Sequence, residues 1–195
     1  MRYRPHQLVP GSFDVKAVVS AVPDVFKVRG MFFHRALKIL GAELEALKPN
    51  LREPTSQYVP FLNYPQADHA YLAFMAAFRE SPDQGSWEAI RRYSRVDVTD
   101  FAESMLGRVM MSMVGDPIKA LGLLPSVYDK VAPGPWGFTA TAHERSITLR
   151  MEIVTGPWSY MLGQIEGVLA FYNATAEVEV EPHGEGVSFH VLIDE

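Results

Sequence analysis

Six histidines are the side chains to weigh first, because imidazole is the commonest metal ligand and a frequent axial ligand of haem. Their spacing argues against such a site. His6, His34, His69, His143, His183 and His190 are scattered, and no two stand at a zinc-type helical ligand separation. All six are expected to be solvent-exposed or locally hydrogen-bonded, and no metal is expected. Nucleophilic catalysis has no better footing. The chain has no cysteine, which removes disulfides, thiolate nucleophiles and iron–sulfur clusters together, and it has no Gly-x-Ser-x-Gly elbow or Ser-x-x-Lys pair. Glu177, Glu179 and Glu181 point to one face of a strand instead of converging in a pocket. No catalytic group can be named, so an enzyme is not expected, and no cofactor is assigned.

The stretch GPWSYMLGQIEGVLAFYN, residues 156–173, places Gly163 and Gly167 a turn apart within a helical pattern. A membrane pairing motif would need about 20 apolar residues, and Gln164 and Glu166 interrupt this one. A phosphate loop would need Gly-Lys-Ser/Thr after a strand, and no lysine follows Lys130. Close packing of the helix against a sheet, or the close approach of a ligand, remain the two readings of the pair. Arg91, Arg92 and Arg95 form a basic cluster beside Tyr93, read as a solvated face paired with carboxylates or as a seat for an acidic partner.

These side chains sit in a chain of 195 residues with 48% hydrophobic and 21% charged content, values that suit one folded domain with its own core. A net charge of −5 without clustered lysine and arginine disfavours nucleic acid. There is no leader pattern at the start and no uninterrupted apolar run of spanning length, so a cytoplasmic chain without a membrane span is expected.

Residues 1–24 read as an N-terminal arm with at most a brief helix, and 25–195 as a single α+β domain. Phe33, Leu37, Leu40, Leu44 and Leu47 predict one amphipathic helix, and four prolines between 49 and 65 predict a long loop. Tyr71, Phe74, Met75 and Phe78 mark a second helix. Ser81, Pro82 and Gln84 look like the start of a third, with Trp87 and Ile90 inward. A fourth, capped at Asp97 or Thr99, carries Phe101, Met105, Leu106, Val109, Met110 and Met113 on the broadest apolar stripe and is expected to be central. Near Pro133 the period changes from 3.6 to two. The alternation in ITLRMEIV, AEVEVE and VSFHVLI predicts a β-β-α-β-β antiparallel sheet whose crossover helix carries the glycine pair. Methionines and tryptophans gather between helices and sheet, so Trp87, Met105, Val109, Met113, Met151, Trp158, Gly163 and Gly167 are the candidate pocket or packing residues.

Three segments together, VRGMFF at 28–33, LGRVMMSMVGDPIKALGLLPSVYDK at 106–130 and the glycine-bearing stretch with its following strand, resemble a domain of unknown function expanded as paralogues in myxobacteria. The resemblance covers roughly residues 25–195. The element order is similar to the wider group of TRAPP small subunits, vinyl-reductase-type sensor domains and haem nitric-oxide-binding domains, which implies ligand sensing or scaffolding. No functional residue transfers: there is no cysteine to acylate or cluster, and Tyr93, Ser94 and Arg95 lack the Tyr-x-Ser-x-Arg spacing of the haem domains. The expected function is a non-enzymatic signalling or scaffold domain acting through contacts with unidentified protein partners, as a homodimer. The alternative is a sensor that binds an apolar small molecule or haem in a helix–sheet pocket.

Overall fold

The computed structural model describes residues 2–3, 12–55, 57–103 and 114–194. In chain order the elements are β1 (Arg2–Tyr3), α1 (Val15–Ala21), β2 (Lys27–Arg29), a 3₁₀ turn (Gly30–Phe33), α2 (His34–Leu40), α3 (Leu44–Leu47), β3 (Asn63–Pro65), α4 (Gln66–Glu80) and α5 (Ser86–Glu103). They continue as α6 (Pro117–Gly122), α7 (Leu124–Val131), β4 (Thr139–Ala142), β5 (Ser146–Met151), α8 (Ser159–Phe171), β6 (Ala176–His183) and β7 (Gly186–Ile193).

The C-terminal half follows the alternation in the sequence. β4, β5, α8, β6 and β7 make the β-β-α-β-β unit, with strands ordered β6-β7-β5-β4 and paired antiparallel. Ile147, Leu149 and Met151 are buried from β5 and Val178 and Val180 from β6, while Arg150 and Glu181 reach solvent. Leu149 and Val180 flank Phe189 of β7, so the buried face is knitted across three strands. A two-residue strand, β1, adds itself parallel to β6 and makes the sheet five-stranded. The polar face carries short-range pairs: His190 lies 3.1 Å from Thr148 and 3.3 Å from Glu181, and Arg150 pairs with Glu152 at 2.7 Å.

The helical half departs from the periodicity in several places. The single helix expected from Phe33 to Leu47 is broken at Gly41, whose φ of +52° is left-handed, and its buried residues are Phe33, Ala36 and Leu40. The third helix begins at Ser86, not after Ser81, which instead closes α4 by donating its backbone N–H to Ala77. Neither Asp97 nor Thr99 starts a helix, because α5 runs unbroken through both. Asp116 caps α6, accepting from the Lys119 backbone N–H at 2.8 Å, with Pro117 in the first turn. The proline-rich loop is held down at both ends. Buried Asp68 accepts from the backbone N–H groups of Arg52 and Glu53, and β3 pairs with β2. In the arm, α1 is capped by Asp14, and Phe13 packs edge-on against Phe74 and Trp87.

The centre of the molecule is α8. Met161, Leu162, Gly163, Ile165, Glu166, Gly167, Val168 and Leu169 are all buried, so apolar residues surround the helix instead of forming a stripe. The helix over 101–113 had been expected in that place, and residues 104–113 lie outside those described. The glycine pair also faces another way than expected: it meets α5, not the sheet. A Cβ added at Gly163 would lie 2.2 Å from the Arg91 carbonyl oxygen, and one at Gly167 would lie 2.8 Å from that of Arg95. The two backbones touch directly, and the Ser94 hydroxyl donates to the Tyr160 carbonyl across the seam.

Glu166 is buried in the same seam, with one oxygen 3.7 Å from the Arg91 guanidinium. Burial nevertheless dominates and pushes its carboxyl up to about 7.

Two outcomes follow from the seam. Gly163→Ala drives a methyl group into a backbone oxygen that cannot move independently, and should cost about 3 kcal/mol, near the top of the range for overpacking. An unchanged urea midpoint would show that the helices part freely. Glu166 holds its proton in the folded state to a higher pH than in the unfolded chain, so it withdraws stability as pH rises from about 4.5 to about 7. Glu166→Gln should therefore gain Tm relative to the parent progressively across that window; a constant offset would contradict the raised value.

Candidate functional site

A cavity of about 470 Å³ lies where α4, α5, α7 and α8 meet. Among the described residues its wall is overwhelmingly apolar: Ala70, Ala73 and Phe74 from α4, Val98 and Phe101 from α5, Val127 and Val131 from α7, Met161 and Val168 from α8. Trp136 and Trp158 add aromatic surface, the first fixed by donating its indole N–H to the Ala132 carbonyl at 2.5 Å. The sheet contributes Met151, so the cavity is walled mainly by helices and not by a helix and a sheet in equal measure. It meets the surface beside Phe61 and Lys130, both exposed.

A few polar groups interrupt this wall. Tyr128 donates its hydroxyl to Gln164 at 2.6 Å, joining α7 to α8. Burial pushes the Tyr128 phenol well above its ordinary range, with the Gln164 bond opposing. The Tyr160 hydroxyl points to Asp97 at the long distance of 3.5 Å, and burial followed by the Asp97 charge keeps this phenol protonated too. Arg29 stands at the mouth, donating Nε–H to the Lys130 carbonyl at 3.2 Å and a terminal N–H to the Phe61 carbonyl.

His69 corrects the expectation that every histidine is exposed or locally bonded. It is 3% exposed, with its ring edge-on to Phe33 at 5.3 Å and to Tyr160 at 6.1 Å, and its Nε2 is buried without a hydrogen-bond partner. Burial drives its pKa down to about 4, against a smaller opposing effect of the Phe32 backbone, so the ring is neutral. The signal was present in the sequence. His69, Ala73 and Ala76 fall at i, i+4 and i+7, on the small-residue face that α4 buries.

Of the candidate residues, Met151 and Trp158 line the cavity. Trp87 stands behind Trp158, with ring centres 5.1 Å apart. Gly163 and Gly167 lie on the α5 side of α8, and Met105, Val109 and Met113 are outside the described residues. Arg29, Asp97, Tyr128 and Gln164 are wall residues that periodicity did not single out. In the arginine cluster, Arg91 pairs with Glu88 at 2.9 Å, whereas Arg92 and Arg95 are exposed.

This architecture is an H-NOX-like α+β fold. The unliganded Fe(II) H-NOX protein from K. algicida superposes with a TM-score of 0.63 at 18% identity, over 86% of this chain and 97% of that one. The Fe(II)NO form of an H-NOX protein from S. oneidensis gives 0.67 at 9% identity, over 86% and 99%. A mutant of the T. tengcongensis H-NOX gives 0.62 at 16%, over 85% and 95%. By sequence, residues 24–191 match the family described as protein of unknown function (DUF2378), and the chain belongs to that family. No curated protein matches it.

Among the described residues, the wall offers a haem no histidine that its iron could approach. A haem iron needs a donor atom that it can approach, and His69 is the one histidine on the wall among the described residues. Its Nε2 is covered by protein, and its ring is wedged against two aromatic rings. Residues 104–113 contain neither histidine nor cysteine, and His6 lies outside the described residues.

His69 binds its proton less readily folded than unfolded, so it withdraws stability as pH falls from 6.5 towards 4. His69→Leu should gain stability relative to the parent as pH is lowered through that window. The ring signals of His69 should titrate near pH 4 by NMR, and a midpoint above 6 would contradict the packing described.

Proposed function

We propose that the chain is a sensor-type binding domain that takes an apolar small molecule into the cavity between α4, α5, α7 and α8. The observation that carries this reading is the cavity itself. Its volume of about 470 Å³ falls within the roughly 300–1,000 Å³ typical of small-molecule sites, and its wall is apolar with a few fixed polar groups, as in such sites. The likeness to H-NOX structures, one of them in an Fe(II)NO ligation state, supports a fold that serves small-molecule binding, by analogy of architecture alone.

The same reading makes the chain a binder and not an enzyme. The tyrosines of the wall are protonated and directed at Gln164 and Asp97, so they offer shape and hydrogen bonds, not a base. Scaffolding through protein contacts, as a homodimer, has weaker support. The exposed Val59, Phe61 and Leu62 form one short apolar tip, and that tip borders the cavity mouth.

A neutral apolar fluorophore tests the reading. N-phenyl-1-naphthylamine should bind the purified chain saturably and with enhanced emission. Joint substitution of Ala70→Phe and Ala73→Phe, which fills the cavity from α4, should weaken binding at least tenfold while leaving the circular dichroism spectrum unchanged. Equal affinity in parent and variant would place the dye elsewhere and remove the support for this site.

A further inference from the structure

We propose that the guest is a long-chain carboxylic acid, with its carboxylate held at Arg29 and Lys130 and its chain in the apolar cavity. This rests on reading the cavity as a binding site and adds the chemical class of what binds there.

The argument begins with charge. Arg35, Lys48, Arg52, Arg79, Arg91, Lys119 and Arg150 each have an acidic side chain within ion-pair distance. Lys16, Lys27, Lys38, Arg92 and Arg95 have no acidic partner among the described residues either, but Arg29 and Lys130 differ from them in standing on the cavity wall. Both border the cavity, and neither side chain has a carboxylate partner among the described residues. The guanidinium spends Nε and one terminal nitrogen on the carbonyls of Lys130 and Phe61, which fixes its plane and leaves its other terminal nitrogen to an incoming acceptor. In a chain with a net charge of −5, two cations without acids at the rim of an apolar space form a seat for an anion. The one carboxylate on the described wall, Asp97, is directed at the Tyr160 hydroxyl.

The rest of the wall specifies what the anion is attached to. Behind the rim come Val131, Trp136, Phe74, Val154 and Met161, and of the polar side chains on the same wall Tyr128 is directed at Gln164 and Tyr160 at Asp97. A flexible hydrocarbon chain satisfies such a surface, each buried methylene adding roughly fourfold to affinity. A single chain with one small charged head matches both parts. The exposed tip at Phe61 and Leu62 gives the chain an apolar edge to cross at the mouth.

Competition against bound N-phenyl-1-naphthylamine tests the assignment, with palmitic acid and the matched neutral alcohol as competitors at pH 8 and octanoic acid as a short-chain control. Palmitate should displace the dye at about tenfold lower concentration than the alcohol, the gain of a charge-assisted hydrogen bond. Octanoate should compete far more weakly than palmitate. Lys130→Gln, which removes one exposed charge, should reduce the acid-over-alcohol preference to about threefold or less. Arg29→Gln should do so further, and Lys130→Gln serves as the variant that leaves the rim's bracing intact. Equal displacement by acid and alcohol, or failure of both while the dye stays bound, overturns the carboxylate assignment and leaves the cavity reading standing. Absence of dye binding together with absence of palmitate binding by calorimetry overturns both.

Discussion

The approach of α8 to α5 is the constraint on which the rest of the structure depends. At Gly163 and Gly167 no side chain separates the two backbones, so α8 sits deeper than a helix with larger residues there could. From that depth it serves three surfaces at once. Leu162, Ile165 and Leu169 are buried with the core, the glycines meet α5, and Tyr160, Gln164 and Val168 reach the cavity at one-turn intervals. A helix held further out would open the seam and alter the wall at the same time. The cavity is thus a by-product of how one helix is seated, and its shape is set by rigid elements.

How much of this the sequence disclosed depends on which force governed each segment. The strands were legible because a sheet with one buried face imposes a strict period of two: the alternation of Val178 and Val180 with Glu177, Glu179 and Glu181 fixes which face is buried. The position of α8 was legible as a helix but not as a contact, since periodicity states that two glycines share a side and not what lies opposite. Helix boundaries failed where local signals competed. Ser81, Pro82 and Gln84 have the composition of a start, yet the chain uses them as a turn between α4 and α5. The cavity was the least legible feature. Its wall draws on β2, five helices, the 154–158 segment and Met151, pieces that only the tertiary fold assembles, and polar members such as Arg29 and Gln164 look in the sequence like ordinary surface residues.

Two ionisable groups sit where core residues would be expected, and they oppose one another. His69 on α4 is kept neutral by burial, and burial holds the ionisation of Glu166 on α8 up to about 7. Over the interval between about 4.5 and 6.5 their proton linkages have opposite sign, one adding stability as pH rises and the other removing it. The parent chain can therefore look insensitive to acid in this range while holding two sensitive groups. That flatness would be a cancellation and not an absence of titration.

Arg29 adds a consequence in time. Its guanidinium ties the Lys130 carbonyl on α7 to the Phe61 carbonyl on the proline-rich loop, two segments 69 residues apart in sequence that both line the cavity. A guest that enters between these two segments must part them and break both bonds to the Arg29 guanidinium. Exchange should then be governed by how often this clasp springs open and not by how fast a molecule diffuses to it. On the binding reading proposed above, a guest of modest affinity would still have a long residence time.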